Sequence, residues 1–230
     1  MHTVNDAGKK KTYQAKAIII GSGIHPRELN VPGEKELRGR GVTYCTVCDG
    51  PLFRNKTTAT VGAGNSALES ALMMGGIAKK VSLLTKYANT KEMHGGFPKG
   101  EDILIKKILA LPAVEILYNA NTTAITGDGA VQELTYTDAV TGKEKKLAVD
   151  GVMVHIGMIP NSDFAGCVEK NKQKEIVVDI LCRTSCPGIF AAGDVTNCCS
   201  ERGPPGLPHP APKDIATDGY RRPRTPPRAD

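Results

Sequence analysis

Tryptophan is absent from the 230 residues, and the aromatic residues together make up only 4% of the chain. No apolar run approaches the roughly 20 residues that a membrane-spanning helix needs, which argues against a membrane protein. The N-terminal segment MHTVNDAGKKKTYQ lacks the apolar stretch of a secretory signal. The net charge of +6 comes without any nucleic-acid-binding motif. We therefore expect a cytoplasmic protein that has neither a membrane nor a nucleic acid as its partner.

The seven cysteines are an odd number, which fits a reducing compartment better than a disulfide framework. Cys45 and Cys48 form a Cys-x-x-Cys pair, and Asp49 follows directly. Zinc is one interpretation, in which this pair combines with Cys182 and Cys186 or with the adjacent cysteines at 198 and 199. Those cysteines lie more than a hundred residues away, unlike a compact zinc knuckle, so we predict no metal site. Cys167, like the cysteines at 182 and 186, is expected to be an inert buried thiol.

A glycine-rich turn stands in the middle of a strand-turn-helix-strand pattern. The first strand is predicted at Thr57–Val61, a helix runs to about Met74, and a second strand follows at Lys80–Thr85. This context raises the probability that the turn binds a dinucleotide, although a tight turn without a ligand has the same local pattern.

Each residue of the turn has an expected task. Gly62 permits the tight turn, Gly64 lets the backbone approach a pyrophosphate, and Ala67 allows the helix to pack closely on the strand. The phosphates would lie at the helix N-terminus, where free N–H groups favour anions, so Asn65 and Ser66 are also candidate cofactor residues.

The remaining pattern predicts further elements. An apolar run ends a strand within 12–20, and Gly21–Glu34 is expected to be a strand end followed by a crossover loop, because Pro26 occupies the place of a third glycine. A helix is predicted at 102–111. Strands are predicted at 114–118, 122–126, 131–137 and 145–149, which together would form an inserted meander, and at 151–156, 175–179 and 188–192.

Several segments together resemble the low-molecular-weight thioredoxin reductases, over about residues 12–197. They are VPGE at 31–34, CTVCDG at 45–50, GAGNSA at 62–67, IGMIPN at 156–161 and GIFAAGDVT at 188–196. Within that family the chain is most similar to the flavoprotein subunit of alkyl hydroperoxide reductase, through the segment CDGPLF and a GDG turn.

The resemblance implies an α/β flavoprotein with two dinucleotide-binding domains. A Rossmann-like NAD(P)-binding domain with an inserted β-meander would occupy 42–149, between two pieces of an incomplete FAD-binding domain at 1–41 and 150–197. A Pro/Arg-rich tail at 198–230 holds eight of the 15 prolines from Ser200 onward and is expected to be disordered. Compared with the family, roughly a hundred N-terminal residues are missing, and the character of the sequence changes abruptly after Asn197. We therefore expect a fragment whose tail reflects a frameshift, a wrong splice or a wrongly assigned gene end.

The resemblance also assigns roles. Cys48 would face the flavin, Cys45 would attack the partner's disulfide, and Asp49 would be the acid/base for the thiol proton. Asp194, with Gly193 before it, would hold the ribityl hydroxyls of FAD, and Gly157 is carried over as a further cofactor contact.

The implied activity is that of an FAD-dependent NAD(P)H:disulfide oxidoreductase. Electrons would pass from NADPH or NADH through FAD to the Cys45–Cys48 disulfide, and then to a thioredoxin-like or peroxiredoxin-type protein disulfide. Lys86 could meet a 2′-phosphate, which favours NADPH slightly, although a surface lysine has the same pattern. Relatives are often homodimers, so a homodimer is one candidate assembly. The alternative hypothesis is a flavin-free NAD(P)-binding remnant without turnover.

Overall fold

The computed structural model describes residues 2–4 and 8–197, and the predicted disordered tail at 198–230 lies outside the described residues. Chain contacts divide the protein into two units. The first unit combines Met1–Gly23 with Pro160–Asp230, and the second unit is Ile24–Ile159. The predicted insert at 42–149 falls within the second unit, which also contains residues 24–41 and 150–159.

The structure contains short strands and three α-helices. The strands are β1 His2–Val4, β2 Lys10–Thr12, β3 Ile18–Ile20, β4 Ile24–Pro26, β5 Val42–Thr43, β6 Thr57–Val61, β7 Lys80–Leu84, β8 Val114–Leu117, β9 Ala120–Thr126, β10 Glu133–Asp138, β11 Glu144–Ala148, β12 Gly151–Val154, β13 Met158–Pro160 and β14 Ile189–Ala191. The helices are α1 Thr46–Asp49, α2 Asn65–Gly75 and α3 Asp102–Leu109, with 3-10 turns at Gly50–Phe53 and His94–Gly96.

The second unit is built around a five-stranded parallel sheet in the order β5-β12-β6-β7-β8. Its strands are buried along most of their length, which is usual where both faces of a parallel sheet are covered. On one face, Val81, Leu83 and Met153 pack with apolar residues of α2 and α3. This arrangement confirms the predicted α/β class with a dinucleotide-binding type of sheet.

An antiparallel sheet in the order β11-β10-β9 covers the other face. Its residues Ile125 and Leu134 join Ala59, Val152 and Val154 of the parallel sheet in one core cluster. The prediction of a four-stranded meander was wrong in one respect, because β8 pairs with β7 in the parallel sheet. The sequence pattern of a single apolar run indicates a strand but does not show which strand it pairs with. With β8 in the parallel sheet, the meander has three strands.

In the first unit, β14 pairs with β3 in parallel and β1 pairs with β2 antiparallel. Ile20, Ile176 and Ala191 belong to its core cluster. The strand predicted within 12–20 is shorter than expected, and Ile19 is 76% exposed. The strand predicted at 175–179 was wrong, because Ile176 makes only isolated bridges with Lys170 and Thr196. Ile176 is buried because it packs in the core cluster of the first unit, not because it belongs to a sheet.

Two smaller differences concern the segment before the cysteine pair and the cysteines themselves. Residues 24–26, predicted to lie in a crossover loop, form β4, which pairs with β13. The prediction of inert buried thiols was wrong in its burial, since Cys167 is exposed and Cys182 and Cys186 are half-buried.

Among the described residues, no helix is both long and apolar enough to cross a membrane.

Candidate functional site

The glycine-rich turn connects β6 to α2 at the carboxyl end of the parallel sheet. Gly62 has a φ of +155°, and a Cβ atom at this position would lie 2.2 Å from the carbonyl oxygen of His155 and 2.7 Å from the Cβ of Ala67. Only glycine fits this conformation and this space. Ala67 is fully buried, so a larger side chain there would push α2 away from the strand.

Gly64 has a different environment from Gly62. It is the N-cap of α2, and a Cβ atom there would meet nothing closer than the Cβ of Lys99 at 3.8 Å. Its carbonyl oxygen accepts hydrogen bonds from Ala67 and Leu68, which sets the first turn of the helix. Gly64, Asn65 and Ser66, the N-cap and first residues of α2, line the cleft, so the helix start lies at its wall, where an anion site at a helix N-terminus is expected.

A cleft of about 610 Å³ opens beside the turn. Of the predicted cofactor residues, it is lined by Gly62, Gly64, Asn65, Ser66, Lys86 and Gly157. Three basic side chains, Arg27, Lys86 and Lys99, line it as well, and its described lining includes no carboxylate. Such a cleft is electrostatically suited to a polyanion, and its size and its position at the strand ends suit a dinucleotide.

Asn65 is occupied by a structural contact. Its side-chain amide donates to Glu101 Oε1 at 3.0 Å, and its Oδ1 accepts from the Glu101 backbone N–H at 2.9 Å. This pair of bonds ties the start of α2 to the N-cap of α3. Ser66, in contrast, is exposed at the cleft.

Cys45 and Cys48 form a disulfide at the start of α1. Cys45 is the N-cap of this helix, and its sulfur accepts a hydrogen bond from the Cys48 backbone N–H at 3.2 Å. Cys48 is exposed and Cys45 is half-buried. An N–H donor aimed at a sulfur stabilises the thiolate, which is the reactive form in disulfide exchange.

Asp49 is joined to this disulfide through Thr43. The hydroxyl of Thr43 donates to the Asp49 carboxylate, and the same oxygen accepts the Cys45 backbone N–H at 3.1 Å. The structure therefore brings together the three predicted catalytic residues, Cys45, Cys48 and Asp49, within one short segment.

A hydrogen-bond chain that the sequence did not reveal joins the disulfide segment to the cleft. Thr46, between the two cysteines, has its hydroxyl 2.6 Å from Ser70 Oγ of α2 and 2.8 Å from His155 Nε2. His155 follows β12 and lines the cleft. Burial lowers the pKa of His155, so its imidazole is neutral at neutral pH. Its position after a parallel strand was the available signal, because ligands gather at the carboxyl ends of such strands.

Glu34 anchors the residue on the N-terminal side of the Cys45–Cys48 segment, Tyr44. The fully buried carboxylate accepts hydrogen bonds from the backbone N–H groups of Leu29 and Asn30, at 2.8 and 2.7 Å, and from Tyr44 Oη at 2.8 Å. Burial and this carboxylate raise the pKa of Tyr44. The guanidinium of Arg38 lies 4.9 Å from the Tyr44 ring. The VPGE motif thus fixes the residue directly before Cys45.

Gly193 and Asp194 lie in the first unit, separated from the end of β14 by one residue. Gly193 has a φ of +80°, and the Asp194 side chain is exposed.

Within the described part of the chain, no group of histidine, cysteine or carboxylate side chains is arranged to hold a metal ion. The cysteines considered for a zinc site, Cys45 and Cys48, are bonded to each other.

Fold and site together define a class: an α/β dinucleotide-binding protein with a redox-capable disulfide beside its nucleotide turn. The chain belongs to the pyridine nucleotide-disulphide oxidoreductase family, whose model matches residues 1–217. Proteins of this family use FAD and NAD(P)H as cofactors. The resemblance to thioredoxin reductases and to alkyl hydroperoxide reductase flavoproteins is confirmed.

Two comparisons with curated proteins place the chain within the family. It is 41% identical over 198 residues to the F subunit of alkyl hydroperoxide reductase from Pseudomonas putida, covering 85% of this chain and 36% of that protein. It is 42% identical over 185 residues to a Bacillus subtilis protein named NADH dehydrogenase, covering 80% of this chain and 35% of that protein. The chain thus spans only about a third of the length of these relatives.

Solved structures agree with this assignment. Thioredoxin reductase from T. acidophilum superposes with a TM-score of 0.69 at 36% identity, covering 82% of this chain and 60% of that one. The enzyme from Lactococcus lactis gives a TM-score of 0.68 at 30% identity, covering 79% and 58%.

Proposed function

We propose that this chain contributes to an NAD(P)H-dependent disulfide oxidoreductase in which Cys45 and Cys48 carry the electrons. The observation that supports this proposal most strongly is the hydrogen bond between Thr46, inside the Cys-x-x-Cys segment, and His155, at the edge of the glycine-turn cleft. A disulfide and a nucleotide cleft joined in this way suit transfer of electrons from a nicotinamide to a dithiol.

The cleft would bind the nucleotide. The pyrophosphate would lie over Gly64 at the start of α2, where a missing side chain and free N–H groups favour an anion. Lys86 follows β7, the second strand of the βαβ unit, and is exposed at the cleft. A lysine at this position, with no carboxylate in the described lining, favours the 2′-phosphate of NADPH over the free ribose of NADH.

Disulfide exchange would begin from the reduced dithiol. The Cys45 thiolate, stabilised by the Cys48 N–H, attacks one sulfur of the partner's disulfide, and the other partner sulfur leaves as a thiolate. Cys48, deprotonated, then attacks Cys45 Sγ, which releases the second partner thiolate and reforms the Cys45–Cys48 disulfide. Asp49, which accepts a hydrogen bond from Thr43, would exchange the thiol proton.

FAD, when bound, supplies the two-electron carrier between the nicotinamide and the disulfide. We propose that residues 1–41 and 150–197 contribute to its domain and that residues 42–149 bind the nicotinamide nucleotide. The exposed carboxylate of Asp194, next to the tight backbone at Gly193, suits the hydroxyl groups of a ribityl chain. These residues are the chain's own contribution to flavin binding.

The partner would be a thioredoxin-like or peroxiredoxin-type disulfide protein. Beside the disulfide, Val47 is 76% exposed and Leu52 is 70% exposed. Exposed apolar side chains next to a reactive sulfur offer a contact for a protein substrate that a small disulfide does not need. A homodimeric assembly and a cytoplasmic location remain predictions.

The experiment uses the full chain, incubated with FAD and then desalted. A flavin absorption band, together with NADPH-dependent reduction of a small aromatic disulfide, is the expected result. Cys48→Ser should abolish disulfide reduction while NADPH binding is retained, and Cys182→Ser is the matched cysteine control that should retain both. A colourless protein that binds NADPH without turnover would refute the oxidoreductase activity and select the flavin-free nucleotide-binding alternative.

A further inference from the structure

The start of β9 forms part of the cleft wall, next to the end of β7. The backbone N–H of Ala120 donates to the carbonyl oxygen of Thr85 at 2.9 Å, and that of Asn119 donates to the carbonyl oxygen of Tyr87 at 3.1 Å. Asn119 has a φ of +53°, and here the chain turns from β8, in the parallel sheet, into β9, in the antiparallel sheet. These contacts bring Asn121 alongside Tyr87, and both residues line the cleft.

The backbone of Tyr87 is fixed at both of its polar groups. Its carbonyl oxygen accepts the bond from Asn119, and its N–H donates to the Thr85 hydroxyl at 3.3 Å. That hydroxyl in turn donates to the carbonyl oxygen of Gly96 at 2.7 Å. The Lys86 ammonium lies 5.3 Å from the centre of the Tyr87 ring, and Tyr87 is half-buried. The cleft wall thus carries a held aromatic ring beside the lysine that suits a 2′-phosphate.

Asn121 differs from the other asparagine of the cleft. The side chain of Asn65 is bonded to Glu101, whereas the amide of Asn121 makes no hydrogen bond within the part of the chain that the structure describes. Asn121 is also exposed at the cleft. A free amide offers a donor and an acceptor side by side, which is the pattern that pairs with the N6 amino group and the N7 nitrogen of adenine.

We propose that Tyr87 and Asn121 form the adenine subsite of the cleft, and that Asn121 selects adenine over other purines. This inference rests on the proposed function, which assigns the cleft to NADPH. In NADPH the 2′-phosphate and the adenine are attached to one ribose, so the groups that bind them must be neighbours, as Lys86 and Tyr87 are. The Tyr87 ring stacks on the base, the Asn121 oxygen accepts from the N6 amino group, and the Asn121 NH₂ donates to N7.

Hypoxanthine is the base that separates the two contacts. It carries a carbonyl oxygen in place of the adenine amino group, so it would place an acceptor opposite the acceptor oxygen of Asn121 and lose one of the two hydrogen bonds. Such a mismatch lowers affinity by about tenfold. Stacking on Tyr87 does not distinguish the two bases, because each has the π-face that stacking requires.

The test measures the dissociation constants of NADPH and of its reduced hypoxanthine analogue with the full chain, by fluorescence titration. The wild type should bind NADPH about tenfold more tightly than the analogue. Asn121→Ala should bind the two with nearly equal affinity and unfold within about 2 °C of the wild type, because this side chain is exposed. Tyr87→Ala should weaken both by about tenfold, and Tyr87→Phe, which keeps the ring, should weaken neither.

Equal affinities of the wild type for the two dinucleotides, or a preference that persists in Asn121→Ala, would overturn the role of Asn121. Unchanged binding of both by Tyr87→Ala would overturn the stacking contact. A wild-type chain that binds neither dinucleotide would refute the nucleotide cleft of the proposed function itself, and the adenine subsite with it. The failure of the subsite alone is therefore distinct from the failure of the proposed function.

Discussion

Replacement of Gly64 by alanine tests the proposal that this glycine binds phosphate and is not needed for the fold. The new Cβ would have its nearest neighbour, Lys99 Cβ, at 3.8 Å, which is ordinary van der Waals contact. Gly64 has a φ of −119°, a conformation that alanine adopts freely. The folded chain thus accommodates the methyl group, but the methyl group occupies the side of the backbone that a pyrophosphate would approach.

Gly62→Ala is the comparison variant, because its Cβ would meet the His155 carbonyl oxygen at 2.2 Å. Overpacking of this kind costs about 1–3 kcal/mol, to which the strain of alanine at a φ of +155° adds. For a chain of this length the midpoint of thermal unfolding falls by about 2–4 °C per kcal/mol. For Gly64→Ala, the loss at the N-cap and the gain in chain entropy nearly cancel, and we expect a change within about 0.5 kcal/mol.

The assay measures thermal unfolding and NADPH affinity on the same preparations. Gly64→Ala should unfold within about 2 °C of the wild type, yet bind NADPH at least about tenfold more weakly, equivalent to about 1.4 kcal/mol. Gly62→Ala should lose both stability and binding. Wild-type affinity in a normally stable Gly64→Ala protein would refute the assignment of this turn to phosphate binding.

Four further outcomes test other parts of the site. Lys86→Glu should weaken NADPH binding about tenfold and NADH binding much less, measured by fluorescence titration, and an equal loss for both would contradict a 2′-phosphate contact. Glu34→Gln should lower the free energy of unfolding by about 1–3 kcal/mol in denaturant titrations, because an amide N–H would face the donors that the buried carboxylate now satisfies. Because burial depresses the folded-state pKa of His155 below 6.5, the unfolded chain binds more protons under acid conditions, and stability should fall as the pH drops below about 6.5. His155→Gln should reduce that slope in melting curves between about pH 7.5 and 5.5, and an unchanged slope would assign the acid sensitivity to other groups. Leu52→Ser should lower kcat/KM about tenfold for a protein disulfide but leave a small aromatic disulfide unaffected, whereas equal losses would argue against a docking contact.

Local patterns predicted the elements on either side of the glycine-rich turn well. The strand at Thr57–Val61 was predicted with its observed bounds, and the helix and the next strand were each predicted to within one residue of their observed ends. Such accuracy has a physical origin, because β-branched runs, glycine geometry and helix starts depend on neighbours in the chain. The Cys-x-x-Cys pair was equally recognisable, since its chemistry lies within four residues.

Features that depend on distant contacts could not be predicted in the same way. The membership of β8 in the parallel sheet is decided by its pairing with β7, which no local periodicity encodes. His155 lies 109 residues from Thr46, so their hydrogen bond is a product of the fold alone. Likewise, cysteine is commonly buried, but the exposure of Cys167 depends on how its loop is packed.

The bond between Thr46 and His155 also has a thermodynamic consequence. Thr46 lies inside the ring that the Cys45–Cys48 disulfide closes, and His155 lies at the wall of the nucleotide cleft. If the proposed function holds and this bond changes when the disulfide opens, oxidation state and nucleotide occupancy are linked variables, and linkage is reciprocal. By whatever factor opening the disulfide changes the affinity for the nucleotide, saturation with the nucleotide must change the equilibrium constant for reducing the disulfide by the same factor.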